Sequence, residues 1–230
     1  MAEGAREAAV RSLELTDPLD DDPRLPDYFG RAWPAVKGFA ALLREHGVTR
    51  GLLGPNEANR LWERHLLNSA AVGALLPARG ALVDLGSGGG LPGVVLAAMR
   101  PEARVVLLEP MERRADWLHF VVGELGLGNA EVVRGRAEDV VGRVRADAVT
   151  ARAVSSLDNL FRWASPLVRA GGGLYAIKGA RATDEVVAAQ EAAAKHGWAD
   201  VEVVVAGTLK GIEPTRVVRA VRAKEAPRVR

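Results

Sequence analysis

A chain of 230 residues, 48% hydrophobic and 26% charged, has an ordinary globular balance and room for one α/β domain with a modest extension, and its core needs no staples. With no cysteine in the chain, disulfides, thiolate zinc sites and a cysteine nucleophile are excluded. The formal net charge of +2 is unevenly spread: residues 1–30 hold 8 acids against 3 basic residues, while the 26 residues from Val205 hold 7 basic residues against 2 acids. The basic bias fits a polyanionic partner or a solvated tail. No apolar stretch of signal-peptide length opens the chain and no run is long enough to cross a bilayer, so a soluble cytoplasmic protein is expected.

In chain order, Ala5 to Leu15 reads as a short helix, and residues 17–26, acidic and carrying three prolines, read as a linker or loop. Residues 1–26 are therefore expected to be an acidic, poorly ordered segment. Tyr28 to His46 reads as helix, with Phe39, Leu42 and Leu43 at helical spacing and Pro34 near its beginning or at a kink. Leu61 to Leu76 reads as a second helix, introduced by Gly54-Pro55-Asn56 and closed by Pro77. Residues 27–80 thus form a helical cap.

From residue 81 short β-branched runs alternate with helical patterns. Strands are predicted at Ala81–Leu85, Arg104–Glu109, Ala130–Val133, Ala146–Ala151 and Gly173–Lys178, with helices at Pro92–Met99, Met111–Leu125, Leu157–Val168 and Thr183–His196. That alternation implies a parallel, doubly wound sheet with right-handed crossovers. Val201–Val205 and Arg216–Val221, joined by a turn-rich loop without a helix, close it as an antiparallel hairpin. The expected fold is a Rossmann-like α/β sheet of seven strands with one antiparallel edge, spanning residues 81–223. Residues 224–230 form a basic tail.

The most informative segment joins the first strand to its helix: Val83-Asp84-Leu85-Gly86-Ser87-Gly88-Gly89-Gly90-Leu91-Pro92-Gly93. In a doubly wound sheet ligands sit at the carboxyl ends of the strands near this turn, and glycines let backbone approach them. Gly88-x-Gly90-x-x-Gly93 fits a dinucleotide fingerprint by letter, but Gly86 and Ser87 intervene between strand and motif, so its register is wrong. An acid, Asp84, followed by apolar-Gly-Ser-Gly-x-Gly resembles motif I of S-adenosylmethionine enzymes, where a carboxylate near that position helps hold the methionine part directly or through water. Glu109, ending the second strand, is placed for ribose hydroxyls, a feature both cofactors share.

Four further motifs join it: Leu61-Trp62-Glu63-Arg64-His65-Leu66-Leu67-Asn68-Ser69 on the cap, Gly135-Arg136-Ala137-Glu138, Thr150-Ala151-Arg152-Ala153, and Tyr175-Ala176-Ile177-Lys178-Gly179. In this order and spacing the chain, over roughly residues 30–222, resembles the ribosomal RNA small subunit methyltransferase G family, also called glucose-inhibited division protein B. The resemblance implies a class I methyltransferase fold, S-adenosylmethionine as cofactor, and methylation of guanine N7 in a conserved loop of 16S rRNA. It implies that Gly86 and Leu91 line the cofactor, with Gly88 and Gly90 in the same loop. Ala137 and Glu138 would meet the adenine, and Arg152 would lie at the shared mouth of cofactor and substrate sites. Asn68 departs from the family pattern, which often has aspartate; the amide keeps hydrogen-bonding capacity and loses charge.

Guanine N7 carries a lone pair and no proton, so its attack on a methyl needs positioning rather than a general base. What the sequence lacks agrees: no cysteine for pyrimidine C5 chemistry, no Asp/Asn-Pro-Pro-Tyr/Phe segment for exocyclic amines, and histidines 46, 65, 119 and 196 without metal-ligand spacing. Arg152 and Lys178 end the fourth and fifth strands and are expected to contact RNA phosphate or the guanine edge; a solvated cation or ion pair is the alternative. Arg64 and His65 would contact RNA or close over the cofactor; a packing role for His65 stays open. Trp62 is expected in the core. The partner implied is 16S rRNA or a small ribosomal subunit, bound by a monomer without a metal. A methyltransferase for another RNA, a protein or a small molecule, and a non-catalytic S-adenosylmethionine-binding regulator, remain as alternatives.

Overall fold

The alternating runs after residue 80 become seven strands in the computed structural model, which describes residues 17–54 and 57–223. They are β1 (Gly80–Leu85), β2 (Ala103–Glu109), β3 (Ala130–Arg134), β4 (Ala146–Arg152), β5 (Val168–Lys178), β6 (Trp198–Ala206) and β7 (Thr215–Arg222), in the order β3-β2-β1-β4-β5-β7-β6. The first five run parallel, and β7 runs antiparallel to both β5 and β6. Strand order reverses between β1 and β4, which places a ligand crevice at the carboxyl ends of these strands.

The antiparallel strand is not the outermost one. β7 is wedged between β5 and β6, leaving β6 at the edge. Val217, Val218 and Ala220 of β7 are each fully buried, as a strand covered on both faces requires, whereas β6 exposes Val205.

Neighbouring residues on each central strand feed opposite cores, because side chains alternate across a sheet. Leu82, Val105 and Leu107 face the cap helices together with α4 (Gly93–Met99) and α5 (Glu112–Glu124). Val83, Val106 and Leu108 face α6 (Leu157–Ala164), α7 (Ala182–Ala188) and α8 (Gln190–Lys195). The helix expected to run to Val168 stops at Ala164, since Pro166 cannot continue it and β5 begins at once. The one expected over Thr183–His196 breaks at Ala189 into α7 and α8.

In the cap, α1 (Arg24–Phe29) leads through a short 3-10 turn into α2 (Trp33–His46), with Pro34 in its first turn, where a missing N–H is tolerated. Val36, Phe39, Ala40 and Leu43 form its buried stripe. A π-turn, Trp62–Leu67, runs directly into α3 (Asn68–Gly73), and such turns often mark functional sites. Trp62 is 2% exposed and packs in the cap core.

One expectation is corrected. Residues 17–26 are not a loose linker: Leu25 is completely buried, Asp17 is 3% exposed, and residues 24–26 belong to α1. The carboxylates of Asp17 and Asp20 accept hydrogen bonds from Trp62, which fixes the segment to the cap despite its charge and prolines. The helix read over Ala5–Leu15 and the basic tail of residues 224–230 lie outside the described residues.

Candidate active site

The loop after β1 is held from below. The amides of Gly86 and Ser87 donate to the carbonyl of Leu108 in β2, at 2.8 and 3.1 Å, and Gly90 N–H donates to Ser87 O at 2.7 Å. Asp84 is turned inward, 1% exposed. Its Oδ2 accepts Gly93 N–H at 2.9 Å and its Oδ1 accepts the Thr150 hydroxyl at 3.2 Å, so one carboxylate ties β1, α4 and β4 together. Burial pushes its pKa up to about 6, opposed by these hydrogen bonds and by Arg152.

Two glycines in the loop are sterically required. A Cβ on Gly93 would lie 2.3 Å from Leu107 and 2.5 Å from Asp84 Oδ2. Gly90 has φ +99°, and a Cβ there would meet Val94 at 2.7 Å and Phe39 of α2 at 3.0 Å. The cap therefore seats directly on the loop, and Trp117 of α5 adds a bond from its indole N–H to Gly89 O at 3.1 Å. Leu91 is buried, while Gly86 and Gly88 keep partly exposed backbone.

Glu109, at the end of β2 and 2% exposed, accepts Gly88 N–H at 2.8 Å and Met111 N–H at 2.9 Å. At the end of β3, Gly135 N–H donates to Glu109 O at 3.2 Å. A 3-10 turn, Ala137–Val140, follows, closed by Arg136 N–H on Asp139 at 2.9 Å. Ala137 is buried and Glu138 exposed. The glycine loop, Glu109 and Ala137 thus form a row along the carboxyl ends of β1, β2 and β3. The donor set fits S-adenosylmethionine. Open backbone would take the amino-acid part, a strand-end carboxylate the ribose hydroxyls, and small apolar groups the adenine.

Arg152, at the end of β4, reaches the cap. One terminal nitrogen lies 3.2 Å from Arg64 O, 3.4 Å from His65 O and 3.4 Å from Asn68 Oδ1; the other meets His65 Nδ1. A guanidinium only donates, so Nδ1 must accept, which makes His65 neutral with its proton on Nε2. Burial, helped by Arg152 and then Arg64, drives the His65 pKa down to about 3. Burial also lowers Arg152 to about 10, with Glu57 and Asp84 holding it up, so it stays cationic at neutral pH. Asn68 uses its other end as well: Nδ2 donates to Thr215 Oγ1 at the start of β7, at 3.0 Å. The charge absent at position 68 leaves Arg152 held without being neutralised there.

These residues border a cavity of about 490 Å³ between the cap and the ends of β4, β5 and β7, a volume that admits a nucleotide. Arg64, His65, Arg152 and Lys178 all line it. Arg64 is exposed and pairs with no carboxylate among the described residues. Lys178, 11% exposed, is already engaged with Glu185 at 2.7 Å and Ser155 O at 2.9 Å. The row along the strand ends adjoins the cavity, since a Cβ on Gly86 would touch Val154, two residues beyond Arg152. Reasoning from sequence missed Glu57 and Thr215 in this cavity. Glu57 follows Gly54-Pro55-Asn56 in the sequence, where the only signal is an acid at a helix approach; Thr215 reaches the site only because β7 turns back into the sheet.

Comparison with known proteins gives the site its context. The family model described as rRNA small subunit methyltransferase G matches residues 33–211. The ribosomal RNA small subunit methyltransferase G of Thermobifida fusca (strain YX) is 49% identical over 193 residues, covering 84% of this chain and 81% of that protein. The one from Clavibacter sepedonicus is 48% identical over 209 residues, covering 91% and 96%. Among solved structures, the S-adenosylmethionine-dependent methyltransferase SibL aligns with TM-score 0.57 at 17% identity, over 83% of this chain and 74% of that one. M. jannaschii TYW2 in complex with AdoMet aligns with TM-score 0.51 at 17% identity, over 66% and 73%. At such identities these two likenesses speak for the class I methyltransferase fold alone. Among the described residues no helix is long and apolar enough to cross a membrane. With S-adenosylmethionine as its cofactor and the family's model matched over most of its length, the chain belongs to the rRNA small subunit methyltransferase G family.

Proposed function

We propose that this protein methylates N7 of a guanine in a conserved loop of 16S rRNA, acting as a cytoplasmic monomer on the small subunit or its RNA. The observation that carries the reading is Arg152, a cation fixed between the cofactor loop and a nucleotide-sized cavity. S-adenosylmethionine, when bound, supplies a methyl on a sulfonium centre.

The chain's own residues supply position and charge. N7 needs no deprotonation, and a neutral, buried His65 that cannot shuttle protons near pH 7 agrees with that. Asp84 and Glu109 act by bracing the loop: each carboxylate accepts loop or loop-adjacent amides, so the cofactor's binding edge is preorganised. Gly86, Gly88, Gly90, Leu91, Ala137 and Glu138 complete that edge. Arg152 meets O6 of the base or a neighbouring phosphate and leaves N7 free. Arg64, exposed at the cavity wall, takes a backbone phosphate. Lys178 joins it by exchanging Glu185 for RNA.

Arg152→Ala tests this assignment. Methyl transfer to small subunits should fall by about a hundredfold or more, the scale seen when one preorganised donor is removed, with S-adenosylmethionine affinity little changed. Undiminished transfer would remove Arg152 from the site.

A further inference from the structure

Three acids, Glu57, Glu63 and Glu213, line the cavity, an odd choice for a surface that must accept a polyanion. Two are neutralised where they stand. Glu63 pairs with Arg60 at 2.7 Å and Glu213 with Arg216 at 3.4 Å. Glu57 pairs with no lysine or arginine among the described residues; its Oε2 lies 3.4 Å from His65 Nε2 and 3.4 Å from Gly54 N–H. His65 is neutral, so that contact is not an ion pair. Its Nε2, on a side chain almost wholly buried in the cavity wall, has no hydrogen bond of good geometry. The result is a half-exposed carboxylate with no cation in direct contact among the described residues, balanced only at longer range by Arg152, next to an unpartnered donor.

Such a carboxylate suits one nucleobase. Guanine alone presents two adjacent donors, N1–H and an N2 amino hydrogen, to a single carboxylate, and its neighbouring O6 accepts. Flipped or unstacked bases are read along this edge. Around the ring the order is N7, O6, N1–H, N2–H. Along the protein wall the order is the glycine loop, Arg152, His65 and Glu57: Gly86 faces Val154, two residues beyond Arg152, Arg152 meets His65 Nδ1, and His65 Nε2 lies beside Glu57. We infer that Glu57 selects guanine, accepting N1–H and N2–H while Arg152 faces O6 and N7 is left toward the cofactor loop. Adenine in the same pose sets its amino donor against Arg152 and its N1 acceptor against Glu57, mismatching both. The inference rests on the guanine-N7 reading above and adds the residue that reads the base.

The test compares small subunits whose 16S rRNA carries guanosine or inosine at the target. Inosine keeps N7, O6 and N1–H and lacks only the N2 amino group. Wild-type protein should prefer guanosine by about tenfold or more in kcat/KM, the scale of a hydrogen bond to a charged group. Glu57→Ala should methylate guanosine more slowly and lose that preference. Glu57→Gln, with a single carbonyl acceptor, should narrow it. Cofactor affinity identifies any variant that fails to fold; if Glu57→Ala does, Glu57→Gln decides. Equal use of the two bases by wild type, or a preference retained in the folded variants, overturns the inference. No transfer by wild type to either subunit overturns the rRNA reading and this inference with it.

Discussion

Asp17 and Trp62 lie 45 residues apart in the chain, and the carboxylate of the first accepts the backbone N–H of the second at 2.8 Å. The bond satisfies a free amide at the start of the turn that carries Arg64 and His65 and leads into α3 at Asn68, as a helix cap would. Asp20 adds to it, accepting the Trp62 indole N–H at 2.9 Å and pairing with Arg44 of α2. Asp17→Ala should therefore lower stability by about 1–2 kcal/mol, read as a lower urea midpoint at unchanged slope. Asp17→Asn, which keeps an acceptor oxygen, should lose less. A midpoint that does not move in Asp17→Ala would mean the acidic segment is not a structural clamp.

Asp84 should make stability fall as pH rises through a defined window. Its pKa is raised from 3.8 to about 6 in the fold, so between those values the native state binds a proton that the unfolded chain has released. Stability is then highest below about pH 4, falls toward pH 6, and changes no further above it on this group's account. The full excursion is about 3 kcal/mol, from roughly two pKa units at 1.36 kcal/mol each. Denaturant midpoints of wild type and Asp84→Asn across pH 4 to 7 should diverge steadily in this window. A constant difference between the two would contradict a raised pKa at Asp84.

His65 moves the other way. With its pKa pressed from 6.5 to about 3, the unfolded chain binds the extra proton between those values, so this group's contribution to stability is lost as pH falls below about 6.5. Above pH 5 the native imidazole should not titrate. Its ring resonances, assigned by comparison with a His65→Gln variant, should stay flat from pH 5 to pH 8. A midpoint near 6.5 would show that His65 does not accept from Arg152 as the geometry requires.

Gly93→Ala tests the packing of the loop. The new methyl would press on Leu107 and on the Asp84 carboxylate, both closer than 3 Å, so a loss of about 1–3 kcal/mol is expected from overpacking. Cofactor affinity should weaken in the same variant, because Gly93 N–H is the bond that locks Asp84 under the loop. A variant as stable as wild type would show that α4 yields more readily than this contact implies.

The fold was legible where one residue's role follows from its place in a strand. Asp84, Glu109, Arg152 and Lys178 all fall at or beside strand ends, and the alternation of apolar runs with helical patterns locates those ends without a structure. The local pattern was silent where partners are distant in sequence. Nothing around Asp17 announces an amide 45 residues away, and acids interleaved with prolines read as linker. The Asn68 to Thr215 bond spans 147 residues and depends on β7 entering the sheet between β5 and β6, an insertion that two apolar runs and a loop do not specify. Glu57 carries no sequence signal of its own, because an acid before a helix usually has a purely local use. The break at Ala189 and the early end of α6 show the ordinary limits of helix boundaries.

Transfer of a methyl to N7 of one guanine in 16S rRNA by this chain, as proposed above, is open to direct measurement. The most direct measurement incubates wild-type protein with labelled S-adenosylmethionine and small subunits lacking 7-methylguanosine, then cleaves the RNA chemically at 7-methylguanosine and maps the breaks. Label is expected at a single loop guanine, with the break at that base. Label at another atom or scattered over many positions, or no transfer to subunits or naked rRNA by protein that still binds the cofactor, would contradict it.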